Sequence, residues 1–212
     1  MNHFITVIIF KLLIILVFPL SAQSIKNYQF KDYSQKEFED SLETLRKEFG
    51  HRKKIPLKFE LQTLIAISHY LELKNIRLKF KIKKKNVFPI SARPGFNPLN
   101  FFRSRKNRQY LIFMEEGTSY VLNRSFNGQV GIIGHELAHI QYYKGISSWR
   151  LIKEGIKYTK NAAFRKKFEE DTDKKAIEYG FGWQFLEFPI YINPEEIKEY
   201  MLKIGYPIET ED

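Results

Sequence analysis

The run GIIGHELAHIQYYKG, residues 131–145, holds two histidines four apart with a glutamate beside the first. On an α-helix, residues i and i+4 share a face one turn apart, so His135 and His139 can bring two imidazoles to one point. Two imidazole nitrogens at about 2.0–2.1 Å supply half of a tetrahedral zinc site. Glu136 projects about 100° further round the helix, beside such a metal rather than on it, where its carboxylate can take a proton from water. Ile132, Ile133, Leu137, Ala138 and Ile140 mark the helix as buried, and buried histidines are costly unless paired. Gly128, Gly131 and Gly134 recur at every third position. Each costs a helix about 1 kcal/mol relative to alanine, so the repeat predicts close contact with a neighbouring element.

A catalytic zinc takes three ligands from the protein. The chain has no cysteine, which excludes sulfur ligands and thiolate nucleophiles. The spacing HExxHxxGxxH is excluded as well, because Tyr142 and Gly145 stand at its glycine and its last histidine. His3, His51 and His69 all lie upstream. A carboxylate is therefore expected, and FRKKFEEDTDKKAIEYGF, residues 164–181, offers one. Glu170 has Lys174 four residues on, and Asp171 has Lys167 and Lys175 at the same spacing, as surface charges do. Glu169 has Asp173 as its i+4 neighbour, a like-charged pair that destabilises a helix unless a cation reverses the sign. This assigns Glu169 as the third ligand of one Zn2+ per chain. Asp173 becomes the carboxylate that orients a ligand histidine through its other nitrogen. Ala176 and Gly180 continue that face with small side chains, suited to close approach by the glycine-rich helix.

HELAH followed by Glu169, Asp173 and Ala176 resembles the gluzincin zinc metallopeptidases, and among them the family of the CAAX prenyl protease and HtpX-like peptidases, including its soluble periplasmic members. The overlap covers about residues 125–180. The resemblance implies zinc on His135, His139 and Glu169, Glu136 as general base, Asp173 as helper, and a zincin-like fold. It also implies a strand ahead of the active helix that pairs with extended substrate, for which RQYLIFM, residues 108–114, is the positional match. Thr172 departs from the usual alanine before the aspartate, and the multiple membrane spans of many relatives are absent.

The elements needed to hold these residues are legible around them. SQKEFEDSLETLRKEF, from Ser34, reads as a helix with Ser34 as N-cap and Gly50 as its end. Pro56 opens a second helix running to about Leu73. IRLKFKIKKK alternates, with Ile76, Leu78, Phe80 and Ile82 on one face, and the intervening Arg77, Lys79, Lys81 and Lys83 read as edge protection. Residues 86–107, with Pro89, Pro94 and Pro98, read mostly as loop, and 108–114 as a strand. The HELAH helix starts near Ser125 or Asn127 and ends at Gly145, followed by helices at about 147–159, 162–179 and 194–203. In SSWRLIKEGIKYTK, Trp149, Ile152 and Ile156 read as a core-facing side, with a lid or a membrane-surface helix as the alternative. The fold class is α+β: mainly helices with a small sheet ahead of the HExxH helix, in one domain over residues 23–212.

Residues 1–22 read as a secretory signal peptide. An apolar stretch is split by Lys11, and Ser21 and Ala22 supply the cleavage site. The exported chain is then periplasmic or secreted, or membrane-anchored if the segment stays. The net charge of +11, spread along the chain, reads as a solvated surface, with anionic surfaces, including peripheral contact with a membrane, as the alternative. No nucleic-acid-binding signature accompanies it, so nucleic acid is not an expected partner. The expected function is a metalloendopeptidase acting on a polypeptide substrate, with His69, Arg93, Tyr142 and Tyr179 as candidate oxyanion donors. The alternative is a non-catalytic binding or chaperone-like envelope protein on the same scaffold.

Overall fold

A computed structural model of the chain describes residues 30–85, 88–95, 107–117 and 119–208. The expected signal peptide lies outside these residues. Among the described residues no helix is long and apolar enough to cross a membrane.

Strands β1 (Lys53–Lys54), β2 (Arg77–Lys83), β3 (Ile90–Pro94) and β4 (Gln109–Glu115) form one mixed sheet in the order β1-β2-β4-β3. β2 runs parallel to β1 and to β4, and β3 runs antiparallel to β4. Alternation decides the faces: Leu78, Phe80, Ile90, Ala92, Tyr110, Ile112 and Met114 are buried against the helical side. Ile82, expected inside, stands 40% exposed near the end of β2. β3 falls in the stretch expected to be loop. It is five residues long and ends in Pro94, which an edge strand tolerates because it need not donate outward. The expectation that RQYLIFM receives substrate fails for a topological reason. Among the described residues β4 is paired on both sides, to β2 and to β3, and the edge strands are β1 and β3.

The first expected helix is two, α1 (Gln35–Glu39) and α2 (Leu42–Phe49). The Ser41 N–H turns back to the Phe38 carbonyl between them, and Ser34 makes no side-chain cap. The helix expected from Pro56 to Leu73 narrows to α3 (Glu60–His69), flanked by 3-10 turns at Leu57–Phe59 and Leu71–Leu73. After the short α4 (Ser119–Leu122), α5 (Phe126–Gly145) carries HELAH through the core. Ser125 caps it by accepting the Gly128 N–H at 2.9 Å. Then come α6 (Ser148–Lys160) and α7 (Ala162–Ala176), capped by Ser147 and Asn161. The helix expected to reach residue 179 widens instead into a π-helical turn, Ile177–Phe181. Gly180 at φ 101° there turns the chain into α8 (Gly182–Glu187), a backbone region that glycine alone adopts at little cost. α9 (Pro194–Lys203) begins with Pro194 after the Asn193 cap.

Two packing expectations change. The glycines of α5 do admit a neighbour, but it is the end of the π turn and α8 rather than α7. A Cβ on Gly131 would stand 2.7 Å from Gln184 Cβ, and one on Gly134 2.8 Å from the Phe181 ring. On α6, Leu151 is the buried residue, whereas Trp149 and Ile156, at 76% and 52% exposure, face solvent instead of the core.

Candidate metal centre

Helix spacing does on α5 what the sequence predicts. His135, Glu136 and His139 are buried at 4%, 4% and 6% exposure, and α7 packs across them. Glu169 and Asp173, one turn apart on α7, are buried at 3% and 0%. Their neighbours Glu170 and Asp171 point outward to Lys166 and Lys167 at 3.7 and 3.1 Å. The like-charged pair thus faces inward onto the histidines, and the lysine-paired carboxylates face water.

His135, His139 and Glu169 offer ligand atoms that all lie within 4.8 Å of one another, a buried group that could hold a metal ion. Glu169 Oε2 stands 3.2 Å from His135 Nε2 and 3.1 Å from His139 Nε2. Ligands at about 2.0–2.1 Å from a tetrahedral ion are about 3.3 Å apart, so the donor set fits a metal with little adjustment. The opposite ring nitrogens are held too. Asp173 Oδ1 lies 2.8 Å from His135 Nδ1, while its Oδ2 accepts the N–H groups of Tyr191 and Ile192 at 2.7 and 3.0 Å. Thr172 Oγ1 donates to the Phe168 carbonyl at 2.8 Å, which leaves it to accept from His139 Nδ1 at 3.3 Å. With a partner at each Nδ1, Nε2 is the nitrogen of each ring that faces Glu169 and that a metal would take. Tyr191 stacks on His135 at 5.6 Å, and Phe168 on His139 at 5.3 Å, which fixes the ring planes.

Electrostatics favours a positive charge at this point. Burial opposes it, but hydrogen bonds accepted by Asp173 and Glu169 outweigh burial and hold His135 protonated up to about 10. Glu169 responds in the opposite sense. Burial would raise its carboxyl, yet its bonds to the two histidines bring it well below the usual carboxylate range. A divalent cation satisfies the same carboxylates that retain this proton.

Glu136 lies beside the ligand atoms, not among them. Its carboxylate accepts the backbone N–H of Ala92 on β3. Gly95 donates to the Gln109 carbonyl and Glu115 to that of Pro89, so the odd residues of β3 pair with β4 and the Ala92 N–H points away from the sheet. Among the described residues β3 pairs on one side only, and Glu136 sits at its other edge. Burial raises its carboxyl, and the two histidines act against that rise.

Several site groups escape the sequence pattern. Tyr158 of α6 donates its hydroxyl to Glu169 Oε1, leaving Oε2 for the histidines. Thr172 is recoverable from its i+3 spacing to Glu169; Tyr158 and the Ala92 amide carry no such signal. The expected oxyanion donors are engaged elsewhere. His69 bonds Tyr33 and the Tyr179 carbonyl, and the hydroxyls of Tyr142 and Tyr179 serve Glu154 and Glu72. Arg93 lies over the Phe113 ring at 4.8 Å. No family model, no curated protein and no solved structure matches this chain.

Proposed function

We propose that the chain is a zinc-dependent endopeptidase of gluzincin type, hydrolysing extended polypeptide. The observation that carries this reading is the convergence of His135, His139 and Glu169 with the Glu136 carboxylate at the edge of β3 away from β4. Zinc held by those three residues would supply Lewis acidity and lower the pKa of water at the site. The chain's own residues do the rest. An edge strand binds an extended peptide by main-chain pairing, which lays the substrate backbone along β3 next to Glu136. A carboxylate whose pKa is raised by burial is suited to take a proton from water and return it to the leaving amine. Tyr191, whose ring stacks on His135 and whose side chain opens to solvent, replaces the expected donors to the developing oxyanion.

Glu136→Gln separates metal binding from proton transfer. Both chains should hold one zinc each, while casein or peptide cleavage falls by about 10²–10⁴-fold in the variant, the usual worth of a general base. Equal cleavage by the two proteins would overturn the assignment.

A further inference from the structure

The outer face of the sheet has a composition that the site does not explain. Register places Lys54, Lys79, Leu111 and Arg93 in one row across all four strands, with Lys81, Phe113 and Ser91 in an adjacent row. Arg77 stands opposite Gln109 on one side of these rows, and Lys83 opposite Glu115 at the other end. Lys54 and Lys79 are direct cross-strand neighbours, and like charges so placed destabilise a sheet. Edge protection accounts for only part of this. β1 covers Leu78 and Lys79, so Lys79 guards no open edge, in contrast to Lys81 and Lys83.

Among the described residues none of these six cations takes part in an ion pair, whereas Arg46, Lys74, Arg150, Lys166, Lys167 and Lys175 all do. A hollow of about 360 Å³ is lined by Lys54, Arg77, Lys79 and Lys81 together with Gly95, Gln109 and Leu111, with no carboxylate. The helices pack on the opposite face, over Leu78, Phe80, Tyr110, Ile112 and Met114.

We propose that this face docks the protein on an anionic phospholipid bilayer. A bilayer presents a continuous plane of negative headgroups, and cations standing at one level on a sheet meet it without rearrangement. Single-stranded nucleic acid, the competing polyanion, is bound largely by stacking bases on open aromatic faces. Here the one aromatic ring in these rows, Phe113, has Lys81, Lys83 and Arg93 over it at 5.7, 4.5 and 4.8 Å. The inference is independent of the peptidase reading.

The test is sedimentation of the full chain with vesicles of phosphatidylcholine alone or mixed equally with phosphatidylglycerol, at low salt. The apolar N-terminal stretch would act alike on both, so the neutral vesicles give its baseline. The wild type should prefer the anionic vesicles. The variant Arg77→Gln/Lys79→Gln/Lys81→Gln should lose about a hundredfold in that preference, at about fivefold per charge near a bilayer. Lys153→Gln/Lys157→Gln/Lys160→Gln, which removes the same charge from α6, should lose about threefold or less, because distant charges are screened. The charge-preserving Arg77→Lys/Lys79→Arg/Lys81→Arg should bind as the wild type. Four results would overturn the proposal: no preference in the wild type, a loss on α6 equal to or greater than that on the sheet, loss in the charge-preserving variant, or tighter binding to a single-stranded oligonucleotide at matched phosphate.

Discussion

His135 and His139 have different groups behind them, and the difference carries a consequence. Asp173 backs His135 with a carboxylate at 2.8 Å, while Thr172 backs His139 with a hydroxyl at 3.3 Å. A charged acceptor makes the stronger bond, so His135 is the better fixed of the two candidate ligands. Removing such backing groups costs about 10–100-fold in metal affinity. Thr172→Val should fall at the lower end of that range, near tenfold. Asp173→Asn should fall near a hundredfold, since Asp173 also holds the N–H groups of Tyr191 and Ile192. Competition against a chelating dye measures both, and unchanged affinity in Thr172→Val would remove the hydroxyl from the argument. This centre was largely legible in the sequence, because His135, His139, Glu169, Thr172 and Asp173 all sit at i+3 or i+4 spacing on two helices. Tyr158 and the Ala92 amide were not. They arrive from α6 and β3 through tertiary packing, which leaves no periodic trace.

The helices that hold these residues depend on where a methyl group can be accommodated. In α5, a Cβ on Gly134 would meet three atoms of the Phe181 ring at 2.8–2.9 Å. In α6, a Cβ on Gly155 meets nothing within 4 Å. The same substitution should therefore act in opposite senses. Gly155→Ala gains about 1 kcal/mol of helix propensity and should raise the Tm by about 2–4 °C for a chain of this size. Gly134→Ala gains the same propensity, but overpacking costs about 1–3 kcal/mol, so its Tm should fall relative to Gly155→Ala and to the wild type. A Tm increase in both would show that Phe181 yields freely. The glycine repeat revealed a close contact from the sequence but not its partner. The partner depends on the φ of 101° at Gly180, which turns the chain so that Phe181 and Gln184 lie against α5. The strand β3 was missed for a related reason: five residues ending in a proline read as loop until β4 pairs with them.

Parts of the chain far apart in sequence meet at a third, half-buried histidine outside the candidate metal centre. His69, at the end of α3, accepts the Tyr33 hydroxyl at Nε2 at 2.5 Å and bonds the Tyr179 carbonyl through Nδ1 at 2.7 Å. It thereby joins the N-terminal segment, α3 and the π turn that follows the ligand helix. Burial favours the neutral ring and pushes its pKa down to about 4, the Tyr179 carbonyl opposing the fall. The folded pKa is below the unfolded value of about 6.5, so between the two the unfolded chain binds a proton that the folded chain refuses. Stability is accordingly retained above about pH 6.5 and lost as pH falls toward about 4, by up to about 3 kcal/mol from this residue. His69→Gln, which does not titrate, should be less stable at neutral pH because it loses the ring's two bonds. Its urea midpoint should nevertheless move less than that of the wild type between about pH 7 and about pH 4.5. Glu136 and Glu169 are present in both proteins, so the difference between the two slopes isolates His69. Parallel slopes would place the acid sensitivity elsewhere, and a steeper slope in the variant would reverse the sign assigned to this residue.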